Sequence, residues 1–225
     1  MSKSVLKIIE NVVKTNGERI AVKASSGELT YSQLWKQSDN LASWLSLRLK
    51  DNNKPVMVYG HKSPQMLVCF LACAKSGRAY CPVDISMPRT RIEEIAIALG
   101  NELILALEPL NIENHEIVSA SAIDLICSEE HRQAKFNSVS GDDVYYIIFT
   151  SGSTGSPKGV EITESNLSSF VEWSMNLARK TGVDHITFMN QAPFSFDLSV
   201  MDLYTSLASG GTLICLEKSL QSLIP

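Results

Sequence analysis

Apolar positions along this chain recur at two spacings, and each spacing predicts a different element. Val5, Leu6, Ile8, Ile9, Val12 and Val13 lie at helical intervals and stop at Asn16-Gly17. A short strand over Ile20 to Lys23 turns back at Ser25 to Gly27 through Leu29-Thr30-Tyr31. Ser32 is the expected cap of a long amphipathic helix with Leu34, Leu41, Trp44, Leu45 and Leu49 on one side. Val56 to Tyr59 reads as an apolar strand, and Pro64 leads a helix from Gln65 to Lys75 that ends at Ser76-Gly77.

The alternation continues beyond that point. Ala79 to Val83 is a strand, a Pro88-led helix stops at Gly100, and Leu103 to Leu107 is another strand. Between Glu108 and Gly141 the pattern weakens to short pieces around Ile117 and from Ile123 to Cys127. Val144 to Phe149 is strand-forming and almost wholly apolar; a helix opens at Ser165 and runs to Lys180. Ile186 to Met189 (strand), Leu198 to Leu207 (helix) and Thr212 to Leu216 (strand, after Gly210-Gly211) complete the series. The strands are continuous apolar runs without period-two polarity, which requires cover on both faces. The expected fold is α/β, with mixed, largely parallel sheets covered by helices.

Composition narrows the function classes. With 44% hydrophobic and 20% charged residues, the chain can bury a large core and is not disordered. Its formal net charge of −4 supplies no basic surplus for a nucleic-acid backbone, so no nucleic-acid partner is expected. The longest unbroken apolar stretch, Met66 to Ala74, is far short of the roughly twenty residues of a bilayer span, so no membrane insertion is expected. Five cysteines without a C-x-x-C pair, and an N-terminus without a signal-peptide core, point to the cytoplasm. Cys69 and Cys73 are expected to pack in the core. The four scattered histidines give no metal-ligand spacing. The stop at Leu223-Ile224-Pro225, directly after a strand, reads as a fragment.

Two stretches carry candidate chemistry. In YIIFTSGSTGSPKGV, Tyr146 to Val160, an apolar strand runs into Thr150 to Gly159, with three glycines, three serines, two threonines and Lys158. Hydroxyls, unhindered glycine amides and one cation suit a polyphosphate. The Walker pattern is absent, because Pro157 stands where its second glycine would be. Pro157 and the following Val160-Glu161-Ile162 predict a turn into a short strand and not a helix N-terminus. The competing reading is a flexible surface loop. In NQAPFSFDLSV, Asn190 to Val200, Asp197 sits among Pro193, Phe194 and Phe196 at a helix start. Its carboxylate either binds an ammonium group in a low-dielectric pocket or caps the helix, with Ser199 and Asp202 solvating the first turn.

TSGSTGSPKG resembles the phosphate loop of the adenylate-forming enzymes: acyl-CoA synthetases, luciferases and the adenylation domains of carrier-protein systems. Leu29-Thr30-Tyr31, the run Gly77 to Asp84 and Phe196-Asp197-Leu198-Ser199 agree with that family in order along the chain. The last piece is similar to the amino-acid-activating branch, and APFSFDLSVMDLY is most similar to its members that load D-alanine onto a carrier protein. The resemblance implies that an amino-acid carboxylate attacks the α-phosphate of ATP, bound with Mg2+, to give aminoacyl-AMP and pyrophosphate. The aminoacyl group would then pass to the phosphopantetheine thiol of a carrier protein, for D-alanylation of teichoic acids.

Carried over by position, Thr150, Ser151, Gly152, Ser153, Thr154, Gly155 and Lys158 would form the phosphate loop. Asp197 would hold the substrate ammonium and Met201 would help line the pocket. Glu164 stands where relatives often have a histidine near the acyl pocket. By the same resemblance, residues 1–225 are the N-terminal portion of an AMP-binding domain. The later adenine-binding motif, the ribose-binding aspartate and the lysine of the C-terminal lid domain are absent, so no residue certain to be catalytic is expected here. Adenylation of another amino acid is the rival within the enzyme class. A non-catalytic nucleotide-binding fragment is the rival outside it.

Overall fold

A computed structural model describes residues 4–50, 52–129, 137–151, 157–180 and 182–216. The first elements are α1 (Val5–Asn16), β1 (Ile20–Ala24), β2 (Gly27–Thr30), α2 (Tyr31–Leu49), β3 (Val56–Gly60), α3 (Pro64–Lys75), β4 (Tyr80–Asp84) and α4 (Arg89–Leu99). Then come β5 (Leu103–Ala106), β6 (Glu116–Ser119), α5 (Ala120–Ser128), β7 (Val144–Ser151), β8 (Pro157–Thr163), α6 (Glu164–Arg179), β9 (Thr187–Asn190), α7 (Leu198–Ser209) and β10 (Thr212–Cys215). The strands form two sheets, ordered β2-β1-β10-β9 and β6-β5-β3-β4-β7-β8. Only the β1–β2 and β7–β8 pairs are antiparallel. The expected mixed, largely parallel α/β fold is therefore present.

The continuous apolar strands follow from the layering. In β3, Val56 and Val58 face one core while Met57 and Tyr59 face another. In β5, Leu103 and Leu105 divide from Ile104 and Ala106 in the same way. With helices on both faces, alternate residues are buried in different places, so the period of two is hidden from the sequence. Helix α4 covers one face of the larger sheet through Ile92, Ile95 and Leu99. On the other face, α3 touches β3 and β4 and also β1 and β2 of the smaller sheet. Every α3 residue except Gln65 is buried, which explains the apolar run Met66 to Ala74. Among the described residues no helix is long and apolar enough to cross a membrane.

Two expected caps move. Helix α2 is capped by Thr30, not Ser32: the Thr30 side chain accepts from the Gln33 amide at 3.2 Å, and Gln33 Oε1 accepts from the Thr30 amide at 2.9 Å. Helix α6 is capped by Thr163 in the same reciprocal way with Asn166, two residues before Ser165. In both places the third-residue amide side chain decides the cap. The weakly patterned stretch after Glu108 holds β6 and α5.

The motif from Gly77 to Asp84 has a structural basis. Gly77, at φ +78°, follows α3 in the left-handed region, and a β-carbon there would lie 2.4 Å from the Asn137 carbonyl oxygen. Arg78 is buried and donates to Asn52 O at 2.8 Å (Nε), Ser76 O at 2.6 Å (Nη1) and Lys50 O at 3.0 Å (Nη2). Arg78→Met strands those three carbonyls and is expected to cost about 3 kcal/mol. The urea unfolding midpoint checks this; an unchanged midpoint would show that the three bonds carry no net stability.

All five cysteines are free and buried, as expected for core residues. Burial pushes the thiols of Cys73, Cys127 and Cys215 up from their ordinary value near 9 to about 12, and raises those of Cys69 and Cys81 as well. The folded chain thus keeps protons that the unfolded chain releases above pH 9. The stabilisation is complete below pH 9 and is lost as pH rises towards 12. Melting temperature should fall through that window, and Cys73→Ala should flatten the fall. A steeper fall in that variant would contradict the assignment.

Candidate functional site

The phosphate-loop candidates lie at the end of an antiparallel hairpin. Strands β7 and β8 pair Phe149 with Gly159, Thr150 with Lys158, and Ser151 with Pro157. The expected short strand is therefore present as β8, and among the described residues no helix stands between it and β7. Gly152, Ser153, Thr154 and Gly155 lie outside the described residues. Thr150 and Lys158 are exposed on facing strands, and the Thr150 carbonyl accepts from Arg91 Nη2 at 2.6 Å. A β-carbon at Gly159 would lie 3.0 Å from Ile147 Cγ2 and 3.2 Å from Phe149 Cζ, so a larger residue there would press on both side chains.

β7 lies beside β4, and the two are parallel, so Ser151 and Asp84 end at the same edge of the sheet. That carboxyl edge is where open α/β sheets bind ligands. Asp84 is buried there and accepts from Ser86 N at 2.9 Å and Ser86 Oγ at 2.6 Å; His61 Nδ1 is 2.8 Å away. Burial raises the Asp84 carboxyl pKa, but the bonds from Ser86 and His61 outweigh it and leave the group below its ordinary value.

Asp197 occupies the N-cap position of α7, yet its side chain makes no capping hydrogen bond. Its Oδ1 accepts instead from the Tyr146 hydroxyl at 3.0 Å. Of the two roles open to Asp197, capping is thus unfilled. Ser199 does not solvate the first turn either: it is buried and donates to Phe196 O at 2.7 Å. Asp197 borders a largely apolar cleft of about 340 Å³, walled by Tyr146, Ile162, Leu167, Phe170 and Met201. The low-dielectric enclosure expected around the acid is not present among the described residues. Asp197 is exposed, and the flanking Phe196 and Leu198 are 58% and 73% exposed, because this first turn lies at the open mouth of the cleft.

Glu164 is not part of that wall. Buried at the start of α6, it accepts through Oε1 from Val5 N at 2.9 Å and Ser168 Oγ at 2.5 Å, so it serves the first turn of α1. Tyr146, by contrast, is a site residue that sequence reasoning placed only within a strand. Its one signal was a hydroxyl-bearing pair, Tyr145-Tyr146, in an otherwise apolar run. Burial, and then the Asp197 charge, raise its pKa, so the hydroxyl keeps the proton it donates. Among the described residues no three His, Cys, Asp or Glu side chains cluster to hold a metal ion.

Residues 9–224 match the family model described as AMP-binding enzyme. The chain is 44% identical to a D-alanine–D-alanyl carrier protein ligase of Listeria welshimeri over 230 residues, covering 99% of this chain and 44% of that protein. A ligase of the same name from Bacillus cereus is 40% identical over 223 residues, covering 96% of this chain and 44% of that protein. The chain thus spans less than half the length of these relatives. Among solved structures, the N-terminal subdomain of Klebsiella oxytoca NpsA with 3-hydroxyanthranilyl-AMSN superposes with a TM-score of 0.82 at 23% identity, covering 98% of this chain and 56% of that one. An artificial adenylation–PCP fusion, NpsA-ThdA, gives 0.86 at 23% identity, covering 99% and 45%. With a family model matched along nearly its whole length, on a fold shared with these structures, the chain belongs to the AMP-binding enzyme family.

Proposed function

We propose that this chain is the N-terminal portion of the AMP-binding domain of an amino-acid-activating ligase, with D-alanine as its substrate. The relatives' name and the 44% identity support D-alanine. The observation that carries the reading is that one strand, β7, borders both candidate sites. Tyr146 of β7 touches Asp197, and four residues on, roughly 13 Å along the strand, Thr150 opens the phosphate-loop candidates.

In this reading Asp197 pairs with the substrate ammonium and fixes where the carboxylate lies. Met201 and the apolar cleft wall receive the small side chain. The hairpin end, Thr150, Ser151, Gly152, Ser153, Thr154, Gly155 and Lys158, holds the phosphates. A carboxylate oxygen bonds to the α-phosphorus as the bond to pyrophosphate breaks, giving aminoacyl-AMP. The phosphopantetheine thiolate of a carrier protein then displaces AMP and forms the thioester. The chain's contribution is positional and electrostatic. Mg2+ would enter with ATP and supply charge to the phosphates. The product would feed D-alanylation of teichoic acids. Free, buried cysteines fit a cytoplasmic setting.

Amino-acid-dependent ATP–pyrophosphate exchange tests this on the gene's full-length product. D-Alanine should support exchange better than L-alanine or glycine. Asp197→Ala should raise the KM for the amino acid at least tenfold while moving the KM for ATP less than twofold; Lys158→Ala should act mainly on the ATP and pyrophosphate steps. Equal losses for both substrates in Asp197→Ala would remove its assigned role. Exchange with a different amino acid would keep the chemistry and change the substrate.

A further inference from the structure

The alternation of β7 breaks at one place. Val144, Ile147 and Phe149 belong to the core on the α4 side, and Ile148 to the opposite core. Tyr145 and Tyr146 are consecutive, yet both lie in that opposite core. The cause is an irregularity in the hairpin: Val144 pairs with Thr163 and Tyr146 with Ile162, so Tyr145 is an extra residue on β7. From Tyr146 to Phe149 the alternation is regular, so the bulge sets Tyr145 beside Tyr146 in the same core.

The Tyr146 ring is firmly held. Tyr146 stacks on Tyr80, centroids 5.7 Å apart at 30°, and Tyr80 stacks on Phe70 of α3 at 4.2 Å and 16°. Tyr146 is 3% exposed, whereas Asp197 stands at the open mouth of the cleft. An exposed aspartate at a helix start has several rotamers available and a capping role to compete for it. The 3.0 Å bond from a fixed phenol takes Oδ1 out of that competition. Oδ2 has no hydrogen-bond partner among the described residues.

We propose that Tyr146 is the positioning residue of the amino-acid site: its hydroxyl, held by the packing of its ring, bonds Asp197 Oδ1 and fixes the carboxylate so that Oδ2 receives a primary ammonium group. This rests on the amino-acid-activating reading above. Tyr146→Phe keeps the ring in the cleft wall and removes only the hydroxyl, so its effect on amino-acid binding acts through Asp197.

The test compares Tyr146→Phe, Asp197→Ala, the double variant and Asn40→Ala in the full-length protein, by amino-acid-dependent ATP–pyrophosphate exchange and thermal melting. Asn40→Ala is the stability control, because it removes a buried hydrogen bond between α2 and α5 (Asn40 Nδ2 to Cys127 O, 2.8 Å) and touches neither Asp197 nor α7. The expected result is a KM for the amino acid raised roughly tenfold in Tyr146→Phe, with kcat and the KM for ATP within twofold. Asn40→Ala should leave all three unchanged, and Tyr146→Phe should add nothing once Asp197 is alanine. An unchanged KM in Tyr146→Phe, with Asp197→Ala impaired, overturns the positioning role and leaves the functional reading intact. Equal effects of Tyr146→Phe and Asn40→Ala, tracking their melting temperatures, reduce Tyr146 to packing. An unimpaired Asp197→Ala removes the underlying reading, and this inference with it.

Discussion

Helix α7 has to satisfy two sheets at once, and the arrangement of the candidate site depends on that constraint. By connectivity it belongs to the smaller sheet, joining the parallel neighbours β9 and β10. By packing it also belongs to the larger one. Tyr204 of α7 meets the Tyr80 hydroxyl of β4 at 2.8 Å and packs edge-on against Tyr145 of β7 at 5.7 Å, while Asp197 at its start receives the Tyr146 hydroxyl. Sliding α7 against the larger sheet would separate the Tyr80–Tyr204 pair in the dry interior, where an unpaired hydroxyl costs most. The buried contacts fix the helix, and the helix carries Asp197 to the mouth of the cleft.

Other ties serve the same joint. Tyr31, at the start of α2, places its hydroxyl 3.0 Å from Ser206 O and 2.8 Å from Gly211 O, at the turn from α7 into β10. Lys62, just after β3 of the larger sheet, is buried and donates to Asn190 O, Gln191 O and Leu216 O at the ends of β9 and β10. Burial lowers the pKa of this ammonium group, and three carbonyls compensate it at the junction. Each tie crosses between the sheets or closes a turn of the smaller one, so the two sheets and the helices between them act as a single frame. A rigid frame is what positional catalysis asks of its protein.

Much of this was legible in the sequence, for stated reasons. Long apolar runs separated by turn residues gave the central strands of the larger sheet, β3, β4 and β5, because both of its faces are covered there. Pro157 with the following Val160-Glu161-Ile162 gave the short strand β8, while its antiparallel pairing with β7 was not legible. Cys69 and Cys73 read as core residues, and they are. The caps at Thr30 and Thr163 were missed because Ser32 and Ser165 are also good capping types, and the choice rests on Gln33 and Asn166 three residues on. Enclosure of Asp197 was overestimated because neighbouring phenylalanines do not reveal which way they turn: Phe194 is buried, Phe196 is not. The Tyr146 contact was hidden because alternation along β7 gives the face on which a residue lies, not the partner that its hydroxyl meets on α7.

The most direct test is a crystal structure of the full-length protein with a non-hydrolysable D-alanyl-adenylate analogue, such as the acyl-sulfamoyl adenosine. The predicted result has the analogue's ammonium within about 3 Å of Asp197, the Tyr146 hydroxyl still on Oδ1, and the sulfamate at the hairpin end between Thr150 and Lys158. An ammonium group paired elsewhere, with Asp197 facing solvent or turned back onto the α7 amides, would contradict the account.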